Sequence, residues 1–155
     1  MADDLTPIDP LEERRIASEL FNHVWTLLET ADRTPEQDDA MVHAAHASRW
    51  HWGRVGGPEQ AAVGEWQCSR VYAVLGRGEA ALHHARRCLD LSVLDGVDEF
   101  VEASAHEAMA RALLVMGDLD GARAERNIAY GLAVALEDDD DRGVIESDLG
   151  TLPLP

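Results

Sequence analysis

Aromatic residues are scarce in this chain. Eight of its 155 residues are Phe, Trp or Tyr, so Ala and Leu dominate the apolar set, and closely packed helices are the natural use of that composition. Cysteine is scarcer still. Cys68 and Cys88 form no C-x-x-C motif and lie in apolar helical patterns, which predicts reduced, buried thiols in a cytoplasmic protein. Positive charge is also short, with 13 Lys and Arg against 30 Asp and Glu and a formal net charge of −17. A field of that sign repels phosphates, so neither nucleic acid nor an anionic membrane surface is expected as a partner. No apolar run approaches the length of a membrane span. The opening Met1-Ala2-Asp3-Asp4 is acidic and no apolar stretch follows, so no secretory leader is expected.

What is present is helical punctuation. Residues 1–8 are expected to be a flexible N-terminus. Asp9-Pro10-Leu11-Glu12 then reads as a cap, a Pro at the first helical position and an acid to close a capping box. Ile16, Leu20, Val24 and Leu27 continue as one apolar stripe, widened by Phe21, Trp25 and Leu28. Thr34-Pro35-Glu36-Gln37 repeats the start signal. Pro58 opens a third helix that Gly76 ends, and a fourth runs from about Gly78 to Leu94. Asp98 caps a fifth, and Gly117 separates it from a sixth ending near Leu136. The acidic run 137–141 favours the first turn of one more helix, whose face is Val144, Ile145 and Leu149. The expectation is a single helical-repeat domain over 9–149, all-α, with six helices paired as three hairpins. A short C-terminal helix caps it, and an extended tail covers 150–155.

An internal repeat ties these pieces together. Gly76 and Gly117 are 41 positions apart, as are Ala81 and Ala122, and Cys88 and Ala129. Ala40 and Ala47 extend the two small-residue columns backward at the same offset, Ala44 and Ala85 form a third that Arg126 breaks, and the register is read as lost before Thr34. Such columns lie on one helix face and let neighbouring helices approach closely. The stretch Tyr72-x-x-x-Gly76-x-x-x-x-Ala81-x-x-x-Ala85-x-x-Cys88-Leu89 resembles the tetratricopeptide repeat. A second copy runs through Leu113, Gly117, Ala122, Ala129 and Tyr130. The period exceeds that family's usual ~34 residues, and the early Trp column is missing. The resemblance implies a stack of helical hairpins whose first helices line a concave groove. Carried over by register, the groove-facing positions include Val63, Trp66, Gln67, Arg70 and Val74, then Ser104, Glu107, Arg111, Leu114 and Val115.

Two stretches are candidates for function. The first is the groove set Trp66, Arg70, Glu107 and Arg111. Arg70 and Arg111 are 41 apart, and two guanidiniums beside an indole can grip a carboxylate-bearing peptide or ligand. A structural role competes: Glu107 and Arg111 are spaced as an i, i+4 pair, and Arg70 can pair with Glu107 across helices. The second is the His- and Trp-rich stretch 43–52, represented by His43, His46 and Trp50. A metal site there would need a third ligand such as His83, His84 or His106. Neither H-E-x-x-H nor Glu-x-x-His occurs, which argues against a zincin and a ferritin-type di-iron bundle. Half-buried histidines at hairpin contacts are the plainer account. No nucleophile elbow and no phosphate-binding glycine loop is present.

The expected function is therefore a non-catalytic scaffold that binds another protein or peptide, with no cofactor and no metal. The alternative is a small-molecule or metal-binding helical bundle centred on 43–52. Self-association into a homodimer is a further expectation, because a short stack leaves an end or face to cover.

Overall fold

The computed structural model describes residues 5–155, and the described residues form seven α-helices and no strand. These are α1 Pro10–Glu29, α2 Pro35–Val55, α3 Pro58–Val74, α4 Gly78–Ser92, α5 Glu99–Val115, α6 Leu119–Ala135 and α7 Asp139–Gly150. The flexible N-terminus expected for 1–8 lies partly outside the described residues. None of the helices is long and apolar enough to cross a membrane.

Local chemistry sets most boundaries. Pro10, Pro35 and Pro58 each open a helix, where a missing N–H costs nothing. Thr34 and Gln37 close a capping box: the Thr34 hydroxyl accepts from Gln37 N at 3.2 Å and Gln37 Oε1 accepts from Thr34 N at 2.9 Å. Asp9 caps α1 by accepting from Leu11 N and Glu12 N. Glu12 does not complete that box; its carboxylate turns to Arg15 instead. Helices α3 and α5 end alike. Gly76 and Gly117 take φ of 71° and 82°, and the next N–H reaches back five residues, Arg77 to Tyr72 O at 2.8 Å and Asp118 to Leu113 O at 2.9 Å. This left-handed stop favours glycine because it has no Cβ to clash.

Each helix packs on its sequence neighbours. Helices α1, α3, α5 and α7 also pack on one another in series, whereas the backbones of α2, α4 and α6 stay apart. The core accordingly runs as a chain of small clusters. One joins α1, α2 and α3, two join α3, α4 and α5, and the last joins α5, α6 and α7 with the tail. Alanine is the hinge of this packing. Ala81, Ala85, Ala122, Ala129 and Ala133 are fully buried, so α4 and α6 sit close to their partners at the same 41-residue register.

Helix α2 departs from that register. Its buried residues are Met41, Ala44, Ala45 and Ser48, while Ala40 is exposed and Ala47 only half-buried. Met41, Ala45 and Ser48 precede Ala81, Ala85 and Cys88 by 40 residues, one fewer than the later copies. The columns expected at Ala40 and Ala47 thus shift by one position in α2, a rotation of about 100° on the helix, while Ala44, expected to match Ala85, is itself buried. Ser48 supports the new register, donating to Ala17 O at 2.8 Å from a buried position.

Helix α7 packs on α5 and α6. Ile145 and Leu149 are buried with Ala129, Ala133 and Leu136, and Leu152 from the tail joins them. The residues after Gly150 have no regular secondary structure.

Candidate functional site

The four odd-numbered helices bring equivalent positions side by side. Trp25, Trp66, Glu107 and Asp148 follow one another at intervals of 41 residues, one on each of α1, α3, α5 and α7. Trp25 and Trp66 meet with ring centroids 5.6 Å apart at a tilt of 39°. Four residues earlier in each helix stand Phe21, Ala62, Ala103 and Val144. The two middle members are small and fully buried, while the outer two face a cavity.

That cavity, of about 230 Å³, is walled by Phe21 and Trp25 from α1, Val63 and Trp66 from α3, Phe100 and Ser104 from α5, and Val144 and Asp148 from α7. Its walls are carbon almost throughout. Four of the chain's eight aromatic residues line it. The Ser104 hydroxyl donates to Phe100 O at 2.9 Å and is already satisfied. A group entering here gains apolar contact and aromatic faces, and finds few partners for a charge.

One end of the cavity is polar. Arg70 Nη2 pairs with Asp148 Oδ1 at 2.9 Å, and the guanidinium lies 5.6 Å from the Trp66 ring centre. Beyond it, Glu107 is 1% exposed. Arg111 donates through Nε to Glu107 Oε1 at 2.8 Å, and through Nη2 to Asp148 O at 3.1 Å and Thr151 Oγ1 at 2.7 Å. Burial pushes the Glu107 carboxyl above its usual range, against the pull of Arg111 and Arg70. The four expected groove residues therefore do lie together along α3 and α5. Both arginines, however, already hold carboxylates or carbonyls of this chain, and α7 supplies Asp148.

The second candidate stretch does not assemble as one site. His43 is exposed, and Trp50 is exposed on another part of α2, with Arg54 4.9 Å from its ring centre. His46 points inward, its Nε2 2.8 Å from the Tyr72 hydroxyl, and its ring lies 5.2 Å from that of His84. Burial and the neighbouring His84 lower its pKa. His84 in turn donates Nδ1 to Glu65 at 2.6 Å, while the adjacent His83 is exposed. Among the described residues, no three His, Cys, Asp or Glu side chains are arranged to hold a metal ion.

Sequence reasoning missed the buried carboxylates. Glu65, 3% exposed, collects His84, Arg87 and Arg49, the two arginines at 3.0 Å. Burial alone would raise this carboxyl; the hydrogen bonds from His84 and Arg87 and the charge of Arg49 overcome it and lower the pKa to about 2. Gly64 makes room for the Arg49 side chain, since a Cβ there would come within 2.7 Å of Arg49 Cδ. Glu13 is likewise buried, between His51 Nδ1 at 3.1 Å and Arg54 Nε at 2.6 Å. The chain has no lysine, so every side chain that reaches these carboxylates is Arg or His, whose nitrogens sit at fixed angles on a planar group. Cys68 and Cys88 are free thiols that burial pushes up to about 12, which keeps them unreactive.

Sequence reasoning also missed Phe21, Trp25, Phe100, Val144 and Asp148. A signal for four of them existed. Extending the 41-residue offset outward from Trp66 gives Trp25 and Asp148, and from Ala62 it gives Phe21 and Val144. The register is thus not lost before Thr34; it continues through α1, and only α2 slips. Comparison with known proteins finds no matching family model, no matching curated protein and no matching solved structure, so the candidate site stands on this geometry.

Proposed function

We propose that the chain is a tetratricopeptide-like helical stack that binds a peptide segment of another protein along the face formed by α1, α3, α5 and α7. The single observation that carries this reading is the apolar cavity where those four helices meet, lined by Phe21, Trp25, Trp66 and Phe100. In a chain so poor in aromatics, half of them wall one concavity, each half-buried, and aromatic surface left open in a pocket is where a partner's side chain gains most. The serial packing of the odd-numbered helices and the matched Gly76 and Gly117 stops support the repeat reading. Binding rather than catalysis is favoured because the charged groups nearest the cavity, Arg70 and Asp148, are tied to each other. The two free, buried thiols support a cytoplasmic setting.

Selection from a displayed random-peptide library tests it. The wild type should enrich a consensus with a bulky apolar residue. Ser104→Phe, which fills the cavity, should lose that consensus while keeping the helical circular-dichroism spectrum. Failure of the wild type to enrich any consensus would sink the proposal.

A further inference from the structure

The recesses that continue the cavity carry unmatched negative charge. One shares Phe21 and Val63 with the cavity and is lined by Glu59. Another shares Trp25 with it and is lined by Glu29 and by Arg70, which Asp148 holds. Four nearby cations are held elsewhere: Arg33 by Asp38, Arg49 by Glu65, Arg54 by Glu13 and Arg70 by Asp148. No ion pair among the described residues includes Glu29 or Glu59. The groove is therefore an apolar cavity with Glu59 in the recess to one side and Glu29, beside the Arg70–Asp148 pair, in the recess to the other, in a chain of net charge −17.

Resting on the peptide-binding reading above, we propose that the occupant is a basic segment. A bulky apolar side chain fills the cavity, and an Arg or Lys on each flank pairs with Glu59 and Glu29. Size supports the anchor. An apolar cavity of about 150 Å³ accepts benzene, so one of about 230 Å³ accepts a Leu, Met or aromatic side chain. Charge is excluded from the cavity itself, because its walls offer a buried ion almost no partner. An acidic segment meets repulsion at both flanks, and Arg70 cannot compensate while Asp148 holds it. The field of the whole chain steers a cationic partner in and weakens with salt.

Three amidated heptapeptides test the inference, read by calorimetry and by tryptophan fluorescence. The first has a central leucine between two arginines, the second a central leucine between two glutamates, and the third a central alanine between two arginines. The first should bind about tenfold tighter than the second at low salt, and high salt should narrow the margin. The third should bind more weakly than the first. Glu29→Gln with Glu59→Gln should shrink the arginine preference to about threefold or less. Equal affinity of the two leucine peptides, or a preference that survives the double variant, overturns the charge inference and leaves peptide binding standing. An alanine peptide as tight as the leucine one removes the cavity as the anchor site. Failure of both leucine peptides to bind overturns both readings.

Discussion

Glu65 on α3 accepts a hydrogen bond from His84 Nδ1 on α4 at 2.6 Å, and 41 residues later the same bond recurs with acid and base exchanged. His106 on α5 donates Nδ1 to Glu125 on α6, again at 2.6 Å. The geometry of the helix pair calls for one carboxylate and one imidazole facing each other, and is indifferent to which helix carries which. Two hairpins that share no residue at these four positions thus share a contact. The surroundings differ: Glu65 also collects Arg49 and Arg87, which makes it the more consequential of the two acids.

Glu65→Gln should destabilise the fold by about 3 kcal/mol at pH 7, the linkage equivalent of a carboxyl lowered from 4.5 to about 2 in a side chain that is 3% exposed. The sign follows from the direction of the shift. A lowered carboxyl contributes stability that is fully present above pH 4.5 and lost as pH falls through about 2. Urea unfolding of wild type and variant should therefore converge as pH drops through that window. A gap that stays constant across it would mean that Glu65 acts through packing alone.

Glu107 has the opposite sign. Its folded-state carboxyl is raised by burial, so its contribution is present below the unfolded value of 4.5 and is lost as pH rises through the folded value. Arg111 supplies its direct hydrogen bonds. Arg111→Leu should cost about 3–5 kcal/mol at pH 7, because a buried charge is left without its donor, and less as pH falls and Glu107 protonates. Glu107→Leu combined with Arg111→Leu should recover most of the loss. For the same reason, charge reversal at Arg111 is not a clean probe of ligand binding: Arg111 is 16% exposed and holds the buried Glu107.

Ala81→Leu should destabilise by about 1–3 kcal/mol through overpacking, since Ala81 is fully buried and its carbonyl accepts from Ser69 Oγ at 2.8 Å. Ala40→Leu, at the position the repeat alignment pairs with it, should be within about 0.5 kcal/mol of neutral because Ala40 is exposed. Thermal melts of the two variants measure the one-residue slip of α2 directly. Equal destabilisation would restore the unbroken 41-residue register.

Deleting the chain from Asp139 onward removes Ile145, Leu149 and Leu152 from the last cluster. At roughly 1.5–3 kcal/mol for each buried side chain, the loss is about 5–9 kcal/mol, comparable with the whole stability of a small domain. It also frees Arg70 and Arg111 of their α7 partners. The truncated chain should aggregate or lose helical signal, as size-exclusion chromatography and circular dichroism would report. A soluble and equally stable truncation would show that α7 contributes little.

The sequence by itself determined the helices and their spacing. Pro10, Pro35 and Pro58 at first helical positions, the Thr34–Gln37 box, and the Gly76 and Gly117 stops act over a few residues, so their outcome is local and can be read without a fold. The repeat was legible for the same reason, since equal spacing places equal positions on parallel helices; Trp25 and Asp148 lay in plain sight at 41-residue intervals. Only the tertiary structure decided which face of α2 turns inward. That helix carries Asp, His and Arg around much of its circumference, so no single apolar stripe dictates its rotation, and packing against α1 and α3 selects Met41, Ala45 and Ser48. The fate of the acids was equally non-local. Glu13, Glu65 and Glu107 are buried because cations reach them, from α2 and α4 in two cases and from the same helix in the third, and a carboxylate has no preference for burial until those partners arrive. Asp148 became part of the groove in the same way, when α7 packed on α5 and brought it to Arg70.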